Sequence, residues 1–356
     1  METDSFLLSC KERIPWQTMR NILHSKKLPV GQGWDATIQK LDSFRRESEA
    51  NSKKMNALED AYFEHLMTGE KALQLFEIDK DSHQLLIKAM DGYKPDSNDF
   101  NETFPFPLSE AKLKELDSSS VLVHIEISQD NYALVYCTKR YYTERHELRL
   151  DSFSQETKDD LCGYDEIIAL KRKLRQCFDI VVLDKTSNIA ELRIDMADVL
   201  SSDDIAMSFK SITNKFNTLS KELIGIDEIL DKPINFFPII DKLYNSAEGR
   251  VCELSFTTDE ASIKNERMRR KDVCLREESY HKAGKKGVPH ITPYKLGITW
   301  TVKISDELES KPELLLPGHF RLLSVSPQYL GDAIITRCFC NEDFNFVVGK
   351  IKHYLN

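Results

Sequence analysis

The sequence predicts an α+β protein with an N-terminal helical hairpin, an antiparallel sheet region with a long amphipathic helix, and a smaller C-terminal α+β domain. Three observations carry this expectation. Helical apolar spacing fills the first 68 residues, two-residue alternation then recurs between turn clusters, and a single long apolar stripe near residue 210 separates two strand-rich regions.

Near the N-terminus, Trp34, Ile38, Leu41 and Phe44 fall at helical spacing, and Met55, Leu58, Tyr62 and Leu66 repeat the pattern after a polar break at 51–54. Gly31-Gln-Gly33 lacks a preceding strand and a third glycine, so it reads as a loop before a helix rather than a dinucleotide site. Residues 71–78 and 84–89 flank Asp79-Lys-Asp-Ser, a turn-prone cluster that suggests a hairpin. The prolines and Gly92 of 91–108 mark a long loop. Val121, Val123, Ile125 and Ile127 then alternate with their neighbours, and 132–142 and 144–150 read as two more strands of an antiparallel meander.

Residues 165–176 look like a short basic helix leading into a hairpin of 179–184 and 189–195. The strongest helix follows. Ser202 can cap it, Asp203 and Asp204 suit its positive end, and Ile205, Phe209, Ile212, Phe216, Leu219 and Leu223 form one stripe before Gly225. A boundary at 225–233 divides the chain into 1–228 and 232–356.

In the second segment, 236–245 reads as a helix. Cys252, Leu254 and Phe256 alternate in one strand, and Leu296, Ile298, Trp300, Val302 and Ile304 alternate in another. Strands are expected at 320–326 and 333–340, and Phe344, Val347, Ile351 and Tyr354 form a closing amphipathic helix.

Composition is that of a soluble globular protein, with 30% charged residues and a net charge of −9. Eight cysteines without repeated spacing, no signal-like N-terminus and no long apolar run point to a reducing cytoplasm and no membrane partner. Motifs of nucleophilic catalysis and phosphate-loop chemistry are missing, and Cys338-Phe-Cys340 is a poor start for a zinc site, so neither a cofactor nor a metal is expected.

Two stretches hold candidate chemistry. Asp184 followed by Glu191-Leu-Arg193 loosely follows the pattern of PD-(D/E)xK metal-dependent nucleases, in which paired carboxylates hold the metal and a lysine positions water. Arginine replaces that lysine, keeps its proton near neutral pH, and makes a solvated polar strand face the preferred reading.

The other stretch, 264–287, is the chain's basic segment. Lys264, Arg267, Arg269, Arg270, Lys271, Arg276, Lys282, Lys285 and Lys286 outnumber four acids, which leaves about −14 on the remainder. Val273 and Leu275 suggest a short strand there, with Lys282, Lys285 and Lys286 in a following loop beside Tyr280 and His281. Cations interleaved with rings suit phosphate tracking and base stacking, so the leading expectation is a non-enzymatic binding or accessory protein that contacts nucleic acid or another polyanion. A protein-interaction subunit is the alternative, in keeping with motif-poor accessory components of microbial antiviral or mobile-element systems, and a nuclease centred on Asp184 and Glu191 is the third.

Overall fold

The computed structural model describes residues 3–355 apart from 150, 152, 162, 197–199, 271 and 307. Four helices open the chain: α1 (Thr3–Arg13), α2 (Trp16–Ser25), α3 (Trp34–Glu47) and α4 (Glu49–Thr68). The hairpin is α3 and α4, and its break falls at Ser48, whose hydroxyl accepts from the Asn51 N–H, rather than at 51–54. Gly69 follows because a Cβ there would lie 2.6 Å from the His65 ring.

Strand β1 (Lys71–Glu77) leads into helix α5 (Lys80–Met90), where a second strand of a hairpin was expected. Asp79, read as part of a turn, is the helix cap: its carboxylate accepts from the Ser82 N–H at 3.0 Å. After the short helix α6 (Glu110–Glu115) come β2 (Val121–Ile127), β3 (Asn131–Leu148), α7 (Gln155–Asp160), β4 (Ile167–Asp184) and β5 (Ile189–Asp195). The two strands expected at 132–150 are therefore one, and the expected basic helix at 165–176 is instead the outer half of β4, paired residue by residue with β3.

Helix α8 (Ser202–Ile224) has the expected stripe, with Ile205, Phe209, Ile212, Phe216 and Leu219 buried. Ser201 rather than Ser202 caps it, in a reciprocal box with Asp204, and Gly225 ends it at a φ of 73°. The remainder comprises α9 (Phe237–Asn245), β6 (Arg250–Thr258), β7 (Ile263–Arg267), α10 (Ser279–Lys286), β8 (Ile291–Thr299), β9 (Val302–Lys303), β10 (Glu309–Ser310), β11 (Glu313–Leu316), β12 (Ala333–Thr336) and α11 (Asn341–Leu355). Residues 320–324 form a 3₁₀ turn and the last strand stops at Thr336, so the strands expected at 320–326 and 333–340 are respectively replaced and shortened.

Ten strands form one antiparallel sheet in the order β2-β3-β4-β5-β1-β12-β11-β8-β6-β7. One face is covered by α1–α4 over the β2–β5 half and by α9 and α11 over the β12–β6 half. The other face is covered by α5 and α8, which pack on β3, β4, β5 and β1. Beyond β1 that second face carries half-buried side chains such as Cys252, Glu253, Lys295, Glu313 and Thr336. In β6 a bulge between Val251 and Glu253 turns Val251 inward and leaves Cys252 outside, so Cys252 does not share the core face with Leu254 and Phe256 as the alternation suggested.

The expected boundary at 225–233 lies between α8 and the segment entering α9. The sheet continues across it through three residue pairs of β1 with β12, from Lys71↔Ile335 to Leu73↔Ala333. Separately soluble, cooperatively folding fragments 1–228 and 232–356 would establish two domains, and recovery only on co-expression would establish one.

Candidate nucleic-acid interface

Strand β7 is an outer edge of the sheet and pairs only with β6. The Glu266 carboxylate meets His281 while Arg267 lies 3.7 Å from Glu253, so alternation along β7 sends Lys264 and Glu266 to the face that carries α10 and sends Arg267 to the opposite, open face. Charged side chains on such an edge also have a purely structural use, because they keep the free N–H and C=O row from pairing with another chain.

The expected short strand around Val273 and Leu275 is a 3₁₀ turn, Leu275–Glu277, anchored by buried Leu275. Its Arg276 donates to the carbonyls of Ser246, Glu248 and Gly249, the last two at 2.8 and 2.6 Å. That guanidinium is committed to closing the loop after α9. The expected loop with Lys282, Lys285 and Lys286 is helix α10, started by the Glu278 side chain, which accepts from the His281 N–H at 2.7 Å.

His281 holds the region together. It is 3% exposed, with Nδ1 against the Glu266 carboxylate and Nε2 2.8 Å from the Tyr244 hydroxyl. An ionised carboxylate only accepts, so Nδ1 carries a proton, and in the neutral ring Nε2 accepts from Tyr244. One histidine thereby ties α10 to both β7 and α9. The sequence signals half of this, since His281 and Glu266 lie in the basic segment, whereas Tyr244 has no signal beyond a hydroxyl on the apolar stripe of α9.

An open cleft of about 560 Å³ lies above this link, lined by Tyr244, Arg276, His281, Lys282, Lys285 and Lys286. Lys285 Nζ sits 4.5 Å over the Tyr244 ring. Among the described residues Lys264, Arg269 and Lys286 have no ion-pair partner. Arg270 reaches Asp272 at 3.0 Å, and Lys282 meets Glu277, all four side chains being largely exposed. Exposed pairs of this kind are weak and yield to a competing phosphate. Lys271 lies outside the described residues.

The nuclease-like candidates sit elsewhere. Asp184 ends β4, and its Oδ1 accepts from the N–H groups of Thr186 and Ser187 at 2.8 and 3.0 Å, which shapes the hairpin tip. Glu191 and Arg193 are each 6% exposed, so the expected solvated polar face is buried beneath α11. Arg193 approaches Glu191 Oε2 at 2.6 Å and stacks on Phe344, while Lys352 takes Oε1 at 2.9 Å. These two cations outweigh the upward push of burial and hold the Glu191 carboxyl below its ordinary range. Among the described residues no three Cys, His, Asp or Glu side chains converge as a metal-binding group.

A second buried ionic cluster lies at the same sheet level. Asp195 accepts from Arg13 at 2.7 Å and from the Phe178 N–H at 2.8 Å, with Lys71 Nζ 3.8 Å away. Asp179 pairs with Arg140 and accepts from the Asp195 N–H at 2.9 Å. Burial alone would raise the Asp195 carboxyl, but Lys71 and Arg13 hold it well below the usual carboxylate range. The neighbouring His65 is pushed down to about 3 by burial and by Lys71 and Arg13.

No family model, curated protein or solved structure matches this chain.

Proposed function

We propose that the protein is a non-enzymatic binding or accessory protein that contacts nucleic acid through the α10 cleft and the adjoining β7 edge. One observation carries this reading: Lys285 and Lys286, which have no carboxylate partner among the described residues, line an open cleft together with Lys282, next to a β7 edge that carries Lys264, in a chain of net charge −9. An overall negative charge repels polyanions at long range, so attraction must be local, and here the local field is positive. Arg276 and the Tyr244–His281–Glu266 link set the cleft's shape, while Lys282, Lys285 and Lys286 meet phosphate oxygens. Arg267 lies on the open face and contributes least.

The test is equilibrium binding of wild type to single- and double-stranded DNA and RNA at low salt, compared with a variant carrying Lys264→Glu, Arg269→Glu, Lys285→Glu and Lys286→Glu. Tight binding by wild type and its near-complete loss in the variant support the reading. If wild type binds none of the four nucleic acids, the reading is lost and a protein-interaction subunit replaces it.

A further inference from the structure

Beside the buried Asp195 cluster lies a small cavity of about 10 Å³, lined by Arg13, His65, Leu66, Glu70, Lys71 and Asp195. Arg13 ends α1, His65 and Leu66 belong to the last turn of α4, Lys71 starts β1 and Asp195 ends β5. The cavity therefore sits where the N-terminal helices meet the sheet.

Two groups on its wall have hydrogen-bonding capacity that the protein does not fill. His65 is 4% exposed, and its Nδ1 has no hydrogen-bond partner among the described residues. Burial, with Lys71 and Arg13 beside it, pushes the ring down to about 3, so near neutral pH the ring is uncharged and Nδ1 is either a lone-pair acceptor or an N–H donor. Lys71 is 1% exposed, and its ammonium has three N–H donors. One of them reaches the Phe178 carbonyl at 3.2 Å, whereas Asp195 Oδ1, at 3.8 Å, is too far for a hydrogen bond. A buried polar group left without a partner is costly, and interiors meet that cost with ordered water where a polar cavity allows it.

We propose that this cavity is a hydration site for one ordered water, which accepts from Lys71 Nζ and bonds to His65 Nδ1, and so ties α4 to β1. Size and charge select the ligand. The volume is about the least that holds one water, which leaves no room for a larger molecule. Two cations, Arg13 and Lys71, face two carboxylates, Asp195 and Glu70, so the wall favours neither an anion nor a cation. A halide only accepts and an ammonium only donates, whereas water does both. It can therefore serve His65 in either tautomer while it accepts from Lys71. The site is separate from the α10 cleft, and this inference does not depend on the nucleic-acid reading.

The test is a crystal structure of the full chain, at a resolution that shows ordered waters and from crystals grown in sodium bromide. The expected result is one water-sized peak within about 3.2 Å of both His65 Nδ1 and Lys71 Nζ, with no anomalous bromine signal there. A cavity without density, a bromine signal inside it, or a His65 ring turned so that Nδ1 bonds to a protein group overturns the proposal. In crystals of His65→Phe, which keeps a ring but has no nitrogen, the peak should weaken or vanish. A peak of full strength in that variant would show that His65 does not hold the water, and would overturn the link between α4 and β1.

Discussion

The two halves of the sheet treat charge in opposite ways. From the inner halves of β3 and β4 to β1 both faces are covered, and the ionic residues there, Asp195, Asp179, Lys71, Glu191 and Arg193, are buried and paired, with half-buried Arg140 on Asp179. From β12 to β7 one face is open and carries half-exposed pairs such as Arg337 with Glu313, while at the outer edge, on the face that carries α10, Lys264 has no ion-pair partner among the described residues. A buried ion pair is costly to break and rarely free for a ligand, whereas an exposed cation is cheap to hold and available. The comparison thus gives the buried pairs, Glu191 and Arg193 among them, an architectural role, and leaves the exposed cations as the groups available to the proposed ligand.

The sharpest way to break the comparison is to remove a charge from the covered half. Asp195→Asn leaves Lys71 and Arg13 buried without their counter-ion and should cost about 3–5 kcal/mol, measured as a lowered denaturation midpoint. Lys264→Ala at the open edge should stay within about 0.5 kcal/mol of wild type. Equal effects at the two sites would end the distinction. Glu191→Ala should also destabilise strongly, because Arg193 and Lys352 lose their shared carboxylate. Neither it nor wild type should cleave DNA or RNA with Mg²⁺ or Mn²⁺. Cleavage by wild type that Glu191→Ala abolishes would restore the nuclease reading.

Acid probes the same buried cluster. The unfolded chain takes up a proton at His65 near pH 6.5, whereas the folded ring does so only near 3, so the unfolded state binds more protons between these values and stability falls as pH falls. One such group contributes up to about 1.4 kcal/mol per pH unit. His65→Gln should flatten the decline between pH 6.5 and 4, read from denaturation midpoints, and an unchanged slope would place the acid sensitivity elsewhere. A smaller effect, about 1 kcal/mol, is expected of Tyr244→Phe, which removes one hydrogen bond to His281 but no cation from the cleft. Its affinity for nucleic acid should change less than about threefold, since phosphate contacts dominate.

Legibility followed the same division. Where one face is open, strands alternate and their period of two is readable, as in Leu254 and Phe256 or Leu296 and Ile298. Where both faces are covered, residues 177–183 are buried without interruption, and nothing in a single sequence tells Glu191 and Arg193, locked under α11, from a solvated polar pair. The run Lys171-Arg-Lys-Leu-Arg175 reads as a helix because four of its five residues are cations and Leu174 alone packs on the core, so no two-residue apolar alternation marks the strand. Asp79 was misread because the residues that favour turns also cap helices. The basic segment was legible as a charge pattern, but its ordered part was not: α10 was expected as a loop whose lysines must be immobilised on binding, and as a helix pinned through His281 they are placed beforehand.

That last difference leads to the most direct measurement. Nucleic-acid affinity of wild type, determined from low to physiological salt, should fall with a log–log slope of roughly −2 to −4, for three to five phosphate contacts. Lys285→Ala with Lys286→Ala should make that slope shallower by about 1 to 2, because a preformed helix presents both lysines to the ligand. Arg267→Ala, on the opposite face, should leave it unchanged. A wild-type slope near zero, or one altered by Arg267→Ala and not by the α10 pair, would contradict the assignment of recognition to the α10 cleft.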